Sequence, residues 1–167
     1  MDPKIRRVGL SLVRRPEGTR MALRKRGKWR YGDSQADIRA EIARYSKEVG
    51  YLAEHFADAV CSCGGKVFGL LLDDNAGVAS RVCLACDAEA HPIGDSAEFV
   101  DEADEEDTAC PCGEEAFEIT VRVSLYDGSE DVKWLYLGCR CPACGLTAVY
   151  GDWKNEFIGF QGLLARV

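Results

Sequence analysis

The chain has 167 residues, 47% of them apolar, which is enough for one ordinary domain or two small ones and too apolar for a disordered protein. Its formal charge is −7, yet residues 1–31 carry 11 Lys/Arg against two acids, so only the N-terminal arm is basic and the remaining body is net −16. The longest uncharged run, residues 141–151, is 11 long and falls short of the roughly 18 to 20 apolar residues of a membrane-spanning helix, so no membrane partner is expected.

The arm, 1–31, opens with Lys4, Arg6 and Arg7 in the manner of a signal peptide, but its apolar stretch at 8–13 has only six residues before Arg14 and Arg15. A cytoplasmic chain is expected. Arg14-Arg15-Pro16-Glu17-Gly18 reads as loop, because Pro fixes φ, Gly loosens the backbone and no apolar period is present. Cations neutralise phosphates and release counterions, so Arg14, Arg15, Arg20, Arg24, Lys25, Arg26, Lys28 and Arg30 are the candidate nucleic-acid contacts. A solvated tail, or an arm folded back on the acidic run 98–107, is the competing reading.

Residues 32–60 read as helical. Asp33 or Ser34 caps the start and Asp37 stands three after Ser34, a capping-box spacing. Ile38, Ile42, Tyr45 and Val49 then recur at helical spacing on one face, with Arg39, Glu41, Arg44, Lys47 and Glu48 mainly on the other. Gly50 ends or bends this helix, and Leu52, Phe56 and Val60 suggest a second, shorter helical segment with its apolar residues in the core.

From Cys61 the pattern turns strand-like. Phe117, Ile119, Val121, Val123 and Leu125 alternate with polar residues, and Val132, Trp134 and Tyr136 answer them across Asp127-Gly128-Ser129-Glu130-Asp131, a β-hairpin. A weaker hairpin runs through 66–72 and 78–83, with Asp73-Asp74-Asn75-Ala76-Gly77 as its turn. The chain is therefore expected to be α+β.

The nine cysteines fall mostly in close pairs. Cys61-x-Cys63 is followed by Cys83-x-x-Cys86, and Cys110-x-Cys112 by Cys141-x-x-Cys144, each with a hairpin-sized spacer. A tight turn with glycine nearby lets two sulfurs converge, and an antiparallel hairpin brings the second pair alongside. Two tetrahedral four-cysteine sites, each for one Zn²⁺, are the expected product. These turns and strands resemble the zinc-ribbon class over 61–99 and 110–157, departing from its commonest pattern in that each first turn is C-x-C. The resemblance implies structural metal held at hairpin ends and an association with nucleic-acid machinery.

Further likenesses suggest a duplication. Phe68 and Phe117 each lie five residues after the second cysteine of their set, and Gly94-Asp95 through Phe99 matches Gly151-Asp152 through Phe157. The expected organisation is a flexible basic arm at 1–31, a helical segment at 32–60, a first ribbon at 61–99, an acidic linker, solvated or mobile, at 100–109, and a second ribbon with a C-terminal aromatic segment at 110–167. Cys139, whose counterpart in the repeat is Arg81, competes with Cys141 as a ligand, but Cys141 completes the repeated C-x-x-C and a packed thiol is expected at 139. His55 and His91 are surplus to complete cysteine sets. The aromatic stretch 150–157 either covers the second ribbon or offers an exposed binding patch.

No nucleophile–base order, P-loop or dinucleotide loop is present, and metals with four protein ligands leave no open position. The expected function is a non-enzymatic zinc adaptor whose arm contacts RNA or DNA and whose acidic body contacts protein. An acidic protein-binding regulator with no nucleic-acid role is the alternative, and a thiol-based redox protein the third.

Overall fold

The computed structural model describes residues 23–167. Arg14, Arg15 and Arg20 lie outside the described residues. In chain order the elements are β1 (Arg24–Arg26), β2 (Trp29–Tyr31), α1 (Gln35–Val49), β3 (His55–Asp58), β4 (Phe68–Asp73), β5 (Val78–Cys83), β6 (His91–Pro92), β7 (Glu106–Asp107), β8 (Glu118–Leu125), β9 (Val132–Arg140), β10 (Leu146–Lys154) and α2 (Phe160–Leu164). They form a mixed α and β fold with two antiparallel sheets, a six-stranded one in the order β1-β2-β10-β9-β8-β3 and a four-stranded one in the order β6-β5-β4-β7.

Helix α1 starts and stops where its sequence signals lie. The Asp37 carboxylate accepts from the backbone N–H groups of Ser34 at 3.0 Å and Asp33 at 2.7 Å, satisfying donors that the first turn leaves without partners. At the other end Gly50 adopts φ +95°, a left-handed cap whose N–H donates to the Ser46 carbonyl. Ile38 and Ile42 are fully buried against β9. Their close approach depends on Gly138, where a Cβ would stand 2.6 Å from Ile38 and 2.7 Å from Ile42.

Strand β9 is covered on both faces. Leu135, Leu137 and Cys139 belong to the main core, while Tyr136 joins Ile38 and Ile42 beneath the helix with Trp134 packed beside it. Val132 lies in the main core, not with Trp134 and Tyr136, because the register shifts between Ser124 and Leu125 and re-aims the strand. The main core lies between the sheets and contains Phe68, Leu70, Phe117, Ile119, Val121 and Leu137 together. The two cysteine-bearing hairpins therefore share one interior.

Four expectations need correction. The second helical segment is absent: residues 55–58 form β3, an edge strand on β8 that continues in bonds from the Glu54 N–H to Val123 O (2.8 Å) and from the Ala59 N–H to Ile119 O (2.9 Å). The free edge of β8 thus outweighs a short period-four pattern, and Leu52, Phe56 and Val60 are exposed at 57%, 45% and 44% instead of buried. The acidic linker is pinned, with β7 paired to β4, Asp104 N–H on the Asp73 carboxylate at 2.9 Å and Thr108 N–H on Leu70 O at 2.9 Å. The likeness between 94–99 and 151–157 is not structural, since the first forms a turn and a short 3-10 helix (Ser96–Glu98) while Gly151 lies inside β10. Finally, the end of the basic arm is a hairpin, β1 and β2, added to the edge of β10 through Tyr31 and Arg30.

Candidate metal centres

Each cysteine group is assembled by one hairpin and the loops around it. Cys61 and Cys63 precede β4, Cys83 ends β5 and Cys86 follows it; Cys110 and Cys112 precede β8, and Cys141 and Cys144 lie between β9 and β10. The two C-x-C turns have the same hydrogen bonds. Gly64 N–H donates to Cys61 O and Gly113 N–H to Cys110 O, both at 2.8 Å, and the cysteine N–H groups return bonds to Gly65 O and Glu114 O. Gly64 and Gly113 take φ +88° and +94°, a left-handed conformation that costs a Cβ-bearing residue free energy, so each glycine is dictated by the tightness of its turn.

Within each group all four Sγ atoms lie within 4.8 Å of one another. Cys61–Cys86 and Cys63–Cys83 stand at 3.7 Å, and Cys110–Cys144 and Cys112–Cys141 at 3.6 and 3.7 Å. A tetrahedron with metal–sulfur bonds of about 2.3 Å has edges of about 3.8 Å, so the separations fit one ion per group. They do not fit disulfides, and all nine cysteines are free. Both groups can therefore hold a metal ion, and they comprise the eight residues singled out by spacing.

Outer contacts favour thiolate. Backbone N–H groups of Gly65, Ala85 and Leu146 donate to the sulfurs of Cys63, Cys83 and Cys144 at 3.3, 3.4 and 3.4 Å. The neighbouring thiols also shift one another. The Cys63 backbone N–H leads the effects that draw Cys61 down to about 6. Cys86 is pushed up to about 12, the Ala88 N–H being outweighed by the thiols of Cys61 and Cys63 and by burial. Burial pushes Cys110 up to about 12 as well. Four thiolates in one such cluster need a cation to compensate their charge.

No protein-family model, curated protein or solved structure matches this chain.

Residues outside the clusters have other duties. Cys139 is fully buried opposite Ile119, and burial alone raises its pKa far above the ordinary thiol value, so it remains a protonated packing residue. Its equivalence to Arg81 holds, because Arg81 faces Leu70 as Cys139 faces Ile119. His55 stacks on Phe160 with centroids 3.9 Å apart, and His91 Nε2 lies 3.0 Å from Arg166 O. Of the aromatic stretch, Tyr150, Trp153 and Phe157 pack against the main core, with Tyr150 edge-on to Phe117 at 5.1 Å.

The expected nucleic-acid contacts divide by partner. Arg24 is held by Asp33 through two 3.0 Å bonds, and Arg30 turns to the helix side, 3.7 Å from Glu41. Lys25, Arg26 and Lys28 are exposed and make no ion pair among the described residues. The hydrophobic companion of these cations, Trp29, is exposed at 37% and was not singled out by spacing. An aromatic residue inside a basic run was the available signal.

Proposed function

We propose that the chain is a zinc-stabilised adaptor: two structural Zn²⁺ sites of four cysteines each, built as zinc ribbons, hold a rigid acidic body that presents a basic hairpin to nucleic acid. The carrying observation is the hairpin itself. Its Lys25, Arg26 and Lys28 project from the sheet edge without carboxylate partners among the described residues, although the chain as a whole has 28 acids against 21 Lys/Arg. An all-thiolate, four-coordinate donor set suits Zn²⁺ and disfavours hard cations such as Mg²⁺ and Ca²⁺. With every position taken by protein, such ions serve folding. Like charge disfavours nucleic-acid contact elsewhere on the body, so the phosphates are met at this hairpin.

The test is binding of a labelled oligonucleotide to the full chain and to its K25A/R26A/K28A variant across a salt series. Binding that weakens with salt, with a slope shallower by about one for each phosphate that the variant no longer neutralises, supports the reading. Unchanged affinity and slope would refute it.

A second reading, an acidic regulator that masks a basic protein, is favoured by one surface. Asp73, Asp74, Asp104, Glu106 and Asp107 line a hollow of about 610 Å³ at the β4–β5 turn, where β7 fixes the acidic run in place. Capture of a basic protein that is lost on charge reversal at these five positions, and kept in K25A/R26A/K28A, would favour it.

A further inference from the structure

One groove on the molecule combines exposed aromatic surface with cations. It has a volume of about 280 Å³ and is walled by Trp29 on β2, by Leu146, Ala148, Val149 and Tyr150 on β10, and by Ala109 and Pro111 on either side of the metal-site residue Cys110. Among the described residues, no charged side chain lines it. The register of β10 explains the opening. Val149 pairs with Gly138 and Gly151 with Leu137, leaving Tyr150 as the unpaired residue of a bulge, its ring edge-on to Phe117.

Two cations stand beside the Trp29 wall. Arg26 is directly opposite Trp29 in the β1–β2 ladder, so both project from the same face, and the Arg26 guanidinium lies 5.4 Å from the Tyr31 ring centroid. The Lys28 ammonium lies 4.9 Å from the Trp29 ring centroid. An apolar slot with no carboxylate in its lining and two cations beside its Trp29 wall complement a ligand that is flat and aromatic at one end and anionic at the other.

We infer that this groove takes an unpaired nucleobase of single-stranded nucleic acid, stacked on Trp29, with its flanking phosphates on Arg26 and Lys28. The inference rests on the proposed nucleic-acid role of the hairpin and narrows it to single strands. A duplex keeps its bases paired and stacked and has none to insert, whereas a single strand offers a π-face at every position. Phosphate contact at Arg26 and Lys28 supplies affinity, and base insertion supplies the preference for single strands.

The experiment is fluorescence anisotropy with the metal-loaded full chain and four probes of equal length: single-stranded DNA, single-stranded RNA, the same DNA strand with abasic sites, and the DNA duplex. Both single strands are expected to bind at least about 5-fold more tightly than the abasic strand and the duplex, the lower end of what one base stacked on an aromatic ring contributes. The W29A variant should bind the intact and abasic strands alike, whereas W29F, which keeps a ring, should retain most of the discrimination and controls for hairpin misfolding. If intact and abasic strands bind equally while K25A/R26A/K28A still weakens both, the groove assignment fails and the phosphate role stands. If none of the probes binds at low salt, both fail.

Discussion

Phe68 and Phe117 exchange both backbone hydrogen bonds, the N–H of each donating to the carbonyl of the other at 2.8 Å, and both side chains are fully buried. Each lies five residues beyond the second cysteine of its group, so equivalent positions of the two repeats meet each other. The hairpins are thus fused at one point of near-symmetry and share the main core, while the second also packs its outer face beneath α1.

Fusion predicts cooperative unfolding. Phe117→Ala should destabilise the metal-loaded protein by about 3–5 kcal/mol through lost burial and the cavity left behind. Urea denaturation followed by tryptophan fluorescence and by metal release should give one coincident transition for both the parent and the variant. Two separated transitions would show that the lobes fold independently.

Gly138 should be intolerant of any side chain, because Ile38 and Ile42 occupy the space a Cβ would need. Gly138→Ala is expected to cost about 1–3 kcal/mol by overpacking, read as a lower urea midpoint with both metals retained. An unchanged midpoint would mean that α1 does not press on β9.

Cys139 and Cys141 are two residues apart and both fully buried, yet their roles are separable. Cys139→Ala should keep full metal content in elemental analysis, whereas Cys141→Ser should lose the second ion and loosen the β9–β10 connection. Loss of metal from Cys139→Ala, with metal kept in Cys141→Ser, would transfer the ligand role to Cys139.

Asp58 supplies a pH prediction. Burial opposes its charge, but the Arg39 guanidinium and the Thr120 hydroxyl, at 2.7 Å, outweigh this and hold its pKa below the ordinary carboxylate value. A carboxylate lower in the folded state stabilises above its unfolded pKa of about 4, and that contribution disappears as pH falls through the folded value. Asp58→Asn should therefore lower the thermal midpoint by an equal amount at pH 5, 6.5 and 8, with the gap closing only below about pH 4. A gap that changed between pH 5 and 8 would contradict the assignment.

How much of this was legible in the sequence depends on where the deciding contact lies. Helix α1 and both cysteine groups were legible because caps, apolar period and metal spacing act within a few residues or across one hairpin. Strand β3 was not, since its partner β8 begins 60 residues later than Asp58 and offers an edge that no local pattern announces. The same holds for β1 and β2, a run of cations that pairs only because β10 leaves an edge open, and for β7, whose Glu-Asp pair follows β4 despite its charge. The groove at Trp29 needs three distant segments, 29, 109–111 and 146–150, and forms only once they are folded together.

Eight of the nine cysteines stand in two groups that can each hold a metal ion. Elemental analysis of the purified chain, combined with titration of reactive thiols in the native and denatured states, tests it most directly. The expected result is about two zinc ions per chain, almost no fast-reacting thiol in the native protein because Cys139 is buried, and nine thiols after denaturation with a chelator. A metal-free chain with oxidised cysteine pairs, or a single ion alongside several reactive native thiols, would contradict it.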